Sequence, residues 1–137
     1  MPLPALLIAA SALVVLLLAS LHLLYTFRGT RLHPRDPAVR AAMESSHLRL
    51  TSRTTLWKAW IGFNASHSYG GMLFGILYAW LGLAQPALLL ASPFLLALGA
   101  VVLAAYLHLG WRYWFRIPLG GLCVAATLYT TGLALLA

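Results

Sequence analysis

Acidic residues are almost absent from this chain: its 137 residues include two Asp+Glu against nine Lys+Arg, and charged residues total 8%. A soluble domain carries roughly 25% charged and 45 to 50% apolar residues. Here 62% of the residues are hydrophobic. Scarce charge and excess apolar content together exclude a water-soluble monomer and a disordered chain. The single cysteine, Cys123, excludes an intramolecular disulfide, so burial has to hold the fold. A Gly-rich phosphate loop, an HExxH pair, a CxxC pair and a GxSxG elbow are also missing, which removes the self-contained sites of many soluble enzymes. What remains is an integral membrane protein.

A helix needs about 20 mostly apolar residues to cross a hydrocarbon core of roughly 30 Å. Four segments meet that need, at 3–26, 56–83, 87–109 and 118–137, and predict an all-α membrane protein. The expected architecture is a four-transmembrane-helix bundle forming one membrane domain over residues 1–137. Pro118 suits the first turn of the last helix, where a missing N–H costs nothing. The first segment lacks a basic n-region and outruns a signal-peptide core, so it is expected to be a retained span.

All nine basic residues fall on one side of these spans. Arg28, Arg31, Arg35, Arg40, Arg49, Arg53 and Lys58 lie between or beside spans one and two, while Arg112 and Arg116 lie between spans three and four. The positive-inside rule makes that side cytoplasmic and puts both termini in the periplasm of a bacterial inner membrane. Trp57, Trp60, Trp111, Trp114 and Tyr113 stand at the same boundary, as an aromatic belt does. The formal charge of +7 is thus a topology signal, and no nucleic-acid partner is expected.

The cytoplasmic loop, 28–55, carries Asp36-Pro37, an N-cap followed by Pro at the first helical position. Val39, Ala42, Met43, Ser46 and Leu50 then recur at helical spacing, and Arg40 and Glu44 form an i,i+4 pair. A short amphipathic surface helix over about 37–48 follows, with arginines available to lipid phosphates. His33 and His47, with no carboxylate beside His33, are expected to be solvated.

Polar groups inside spans are costly and tend to face the bundle interior. The densest stretch is WKAWIGFNASHSYGGMLFG, from Trp57 to Gly75. Asn64, His67 and Ser68 share a face there, and His67, Gly71, Gly75 and Ala79 repeat every four residues, including a GxxxG pair. Small residues at that spacing admit a neighbouring helix. Span three repeats the device with Ala100, Ala104 and His108, and the last span offers Gly120, Gly121 and Ala125. At 1.5 Å per residue, His22, His67, His108 and Cys123 lie about 9, 13, 6 and 10 Å from their nearest flanking basic residue. Three histidines and a cysteine therefore share one layer.

Four readings of that layer stand. The histidines can be hydrogen-bonding glue between helices. A pair such as His22 and His108 can ligate a haem, with Arg28 and Arg112 for its propionates. His22, His67, His108 and Cys123 can form a metal site, or the layer can line a pocket for a quinone or other lipophilic ligand. No span contains an acidic residue, which removes carboxylate-driven proton relays and most ion-coupled transport.

The run from Ala38 to Gly75, with AVRAAMESSHLRL followed by the second-span stretch at Trp57, Gly62, Phe63, Asn64, Ser66, His67 and Ser68, resembles a family of small uncharacterised bacterial four-span membrane proteins. That resemblance implies the architecture and singles out Asn64 and His67, and it implies no activity. A second likeness, in size, span number and basic first loop, is to the membrane-associated eicosanoid and glutathione metabolism proteins. It implies a trimer binding lipophilic substrates between protomers, with Asn64 standing for the family asparagine, but the paired Arg and Glu of those proteins have no counterpart here. Two function classes are carried forward. One is a non-enzymatic accessory or structural subunit, with the lipid bilayer and a homo-oligomer or larger membrane complex as partners. The other is a binding protein or enzyme using His22, Asn64, His67, Ser68 and His108 for a cofactor or lipophilic ligand.

Overall fold

The computed structural model describes residues 1–136. Along them run α1 (Leu3–Phe27), α2 (Pro37–Ser45), β1 (His47–Leu48), β2 (Thr51–Thr55), α3 (Leu56–Ala84), α4 (Pro86–Ala91), α5 (Pro93–Tyr113) and α6 (Arg116–Ala134). The chain is predominantly helical, and α1, α5 and α6 are long and apolar enough to cross a membrane.

The third span begins later than expected, at Pro93, its first residues forming the separate α4. Pro93 lacks the N–H that a continuing helix would use and drives the preceding residue out of helical geometry. Ser92 accordingly sits at φ −105° and ψ 101°, ending α4, and its Oγ accepts from the Leu95 N–H at 3.3 Å to cap α5. The surface helix is shorter than its apolar spacing suggested. Asp36 caps it by accepting from the Ala38 N–H at 2.8 Å, and Pro37 fills the first position, but Ser46 is extended and ends it. The threonine-rich strand Thr51–Thr55 then pairs with His47 and Leu48 in a short antiparallel hairpin, with His47 opposite Thr55. Leu50, expected on the helix face, is left at the hairpin tip, 91% exposed.

Two compact units divide the chain: Met1–Leu18 with Gly71–Ala137, and Ala19–Gly70. In the first, glycines let helices approach closely. A Cβ at Gly75 would come within 2.6 Å of the Leu16 Cβ and 2.9 Å of the Ala12 carbonyl, so α1 and α3 meet here almost backbone to backbone. Gly82 meets Ala5 and Ala9 in the same way, and Gly132 of α6 lies against Pro4 and Ile8. Two buried tyrosines tie α5 in: the Tyr78 hydroxyl donates to the Leu95 carbonyl at 2.7 Å and Tyr129 to that of Leu96 at 2.9 Å. Their rings meet edge-on at 6.4 Å, with Phe74 stacked on Tyr78. Gly99 lies so close beneath both rings that a methyl group there would collide with them. The second unit comprises the end of α1, the loop with α2 and the hairpin, and the start of α3.

Candidate functional site

The polar cluster of the second unit is built from two helical repeats of four. On α1, His22 and Thr26 share a face, and the buried Thr26 hydroxyl donates to the His22 carbonyl at 2.8 Å. On α3, Trp60, Asn64 and Ser68 share a face: Asn64 Nδ2 donates to the Trp60 carbonyl at 2.8 Å, and the fully buried Ser68 hydroxyl donates to the Asn64 carbonyl at 3.0 Å. The Asn64 amide is thereby oriented, with its nitrogen committed to its own helix and its Oδ1 turned outward. His22 Nε2 meets that oxygen at 2.9 Å. Since Oδ1 only accepts, the His22 proton belongs on Nε2. His67 completes the group, its ring edge-to-face with that of His22 at 5.4 Å between centroids.

A second cluster stands at the start of α3. Arg40 donates through a terminal guanidinium nitrogen to His33 Nδ1 at 2.7 Å, pairs with Glu44 through Nε at 3.0 Å, and lies 4.7 Å over the Trp57 ring. His33 is itself edge-on to Trp57 at 4.9 Å. Trp60 Nε1 donates to the Leu32 carbonyl at 3.1 Å. The two tryptophans therefore anchor the loop, and His33 is engaged instead of solvated. His47 stays exposed, with Nδ1 donating to the Thr54 carbonyl at 3.0 Å. Beside the Arg40 cluster opens a surface cleft of about 560 Å³ lined by Thr30, Arg31, His33, Pro34, Arg35, Pro37 and Arg40.

Of the residues singled out in the sequence, His22, Asn64, His67 and Ser68 come together. His108 and Cys123 do not join a ligand set: both are exposed, and the ring beside His108 is that of Trp111 on its own helix. The reason is which faces are packed. Gly99, Leu103 and Gly110 form the buried side of α5, and Leu122, Ala125, Tyr129 and Gly132 that of α6. Ala100 packs against the hydrophobic core and, with Ala104, Ala126 and Tyr129, also lines an apolar cleft of about 110 Å³, while Gly121 lies against Leu18. Among the described residues no three His, Cys, Asp or Glu side chains form a group that could hold a metal ion.

Sequence reasoning missed Thr26 and Trp60 as members of the cluster, although each lies four residues from a residue it did single out. It also missed Tyr78 and Tyr129. The available signal was chemical, because a tyrosine within an apolar helix needs a partner for its hydroxyl. No family model, no curated protein and no solved structure matches this chain.

Proposed function

We propose that this chain is a four-span protein of the bacterial inner membrane with a structural, non-enzymatic role, its His22, Asn64 and His67 layer clamping the first and second spans. The outer face of α3 supports the fourth span. Phe63, Tyr69, Leu73, Ile76, Trp80 and Leu83 all project outward, with Phe63 73% and Leu73 68% exposed. A helix apolar on its outer face as well as its packed one belongs in lipid. Its average hydropathy is diluted by Lys58 at its start and by the inward polar cluster, not by any charge deeper in, since no Asp, Glu, Lys or Arg occurs from Ala59 to Trp111. Its 29 residues would reach about 44 Å, ample for a bilayer core.

The observation that carries the structural role is where the hydrogen bonds go. His22 Nε2, Asn64 Nδ2, Ser68 Oγ and Thr26 Oγ1 are each spent on a group of α1 or α3. Of these bonds the one between His22 and Asn64 crosses from α1 to α3, and the others satisfy their own helix. Such a crossing bond holds helices together where apolar contact alone does not discriminate between helix and lipid. With its basic side cytoplasmic and both termini periplasmic, such a bundle presents its apolar flanks to lipid, to a second copy of itself or to a larger membrane complex.

One observation favours a second reading. Two imidazoles in ring contact, His22 and His67, are a donor pair that a haem, metal, quinone or other lipophilic ligand could use. Absorption spectra and metal analysis of the purified protein separate the two. The structural role predicts a colourless, metal-free preparation whose unfolding shows a coupling of roughly 0.5 to 2 kcal/mol between His22→Leu and Asn64→Leu. A Soret band or stoichiometric metal, lost in His67→Ala, would establish the second reading instead.

A further inference from the structure

The cleft in the loop has a charge arrangement that the clamp does not explain. Among the described residues the only ion pair is Arg40 with Glu44. Arg40 is thus neutralised, and its remaining contacts go to His33 and Trp57, so it organises the wall of the cleft. The other acid of the chain, Asp36, is spent on the Ala38 N–H. Arg31 and Arg35 line the same cleft with no carboxylate partner, and Arg31 is steadied by stacking 4.4 Å over the Tyr25 ring. Pro34 stiffens the backbone between them, and Pro37 the backbone just beyond Arg35. Arg40 donates to His33 Nδ1, which leaves the His33 proton on Nε2 as a further donor in the wall.

Two unpaired guanidiniums, a ring N–H and the Thr30 hydroxyl around one opening are the donor set of a phosphate site. We propose that this cleft binds a single phosphate group, supplied as the headgroup of an anionic phospholipid or as a free phosphate. The lipid source rests on the reading of the loop as lying at the cytoplasmic membrane face. There a headgroup would enter from the side of the Tyr25 and Trp57 rings, and it would hold residues 30–40 against the leaflet. A diffuse attraction of basic residues to the surface differs from this in having neither a stoichiometry nor a dependence on two particular arginines.

The test titrates the full-length protein, in a neutral phosphate-free detergent, with phosphatidylglycerol in mixed micelles and separately with inorganic phosphate. Native mass spectrometry counts the bound lipid, and calorimetry follows both ligands. Saturable binding of one phosphatidylglycerol per chain is expected, weakened roughly tenfold or more by R31Q/R35Q and unchanged by R49Q/R53Q, whose arginines lie outside the cleft. Arg35→Gln alone, which disturbs neither a ring contact nor an ion pair, gives the same direction should loss of Arg31 unsettle Tyr25. Equal dependence of inorganic phosphate on Arg31 and Arg35 identifies a free phosphate as the source, whereas lipid binding alone identifies the headgroup. Absence of saturation with both ligands, or equal weakening by R49Q/R53Q, overturns the proposal. Labelling of Ser45→Cys from the periplasmic face would remove the topology reading while leaving the inorganic phosphate result intact, so the two failures are distinguishable.

Discussion

At Asn64, one side chain acts in two directions: it bonds its own helix through nitrogen and His22 through oxygen. Neither end is free to rotate without breaking the other, which is why the amide rather than an imidazole is the centre of the cluster. The sequence made Asn64 and His67 visible because polar residues stand out in an apolar run. It left the role of Trp60 hidden, because the feature that matters there is a backbone carbonyl. Gly99 is a residue of the opposite kind, silent in the sequence and critical in space. Substituting alanine forces its methyl group into the Tyr129 and Tyr78 rings, both held by hydrogen bonds to α5. Gly99→Ala should therefore destabilise the protein by about 1 to 3 kcal/mol, read as a lowered thermal midpoint in detergent, whereas Gly120→Ala, with open space around the site, should not.

At the scale of elements, helices were legible where a hydrophobic run had unambiguous ends and illegible where two local signals competed. α1 begins and ends close to the boundaries its hydropathy suggests. The third expected span starts later than its hydropathy suggests, at Pro93, since a proline inside an apolar run costs a hydrogen bond and a steric clash; the remaining α5 is still long and apolar enough to cross a membrane. The surface helix lost its last turn to a hairpin, since helical spacing of Ser46 and Leu50 is weaker than the β preference of a threonine-rich partner strand. Here the loop is an anchored element, not a free connection. Trp60→Phe removes the indole donor to Leu32, and Arg40→Ala removes the contacts to His33 and Trp57. Combined, they should raise amide hydrogen exchange over residues 30–45 at least several-fold while leaving α5 and α6 protected, as loss of a hydrogen bond worth about 0.5 to 1.5 kcal/mol implies. Unaltered loop exchange would show that the hairpin alone holds the loop.

For the whole molecule, the distribution of charge carries most of what the sequence discloses: long charge-free stretches between basic clusters, and three of the helices are long and apolar enough to cross a membrane. Convergence of faces was not legible. Helical spacing tells which residues share a side of one helix, but not which side meets a neighbour, so His22 and His67 meet while His108 and Cys123 face outward. The count of spans depends on α3, whose polar cluster lowers its hydropathy and whose outer face is nonetheless apolar. Cysteine accessibility in intact cells tests that count directly, with the exposed Cys123 first replaced by serine and single cysteines placed at Ser45 and Gln85. Four spans predict that a membrane-impermeant thiol reagent labels Gln85→Cys from the periplasm and reaches Ser45→Cys only after the membrane is opened. Labelling of both positions from the same side would mean that α3 does not cross the bilayer, and would contradict the four-span account.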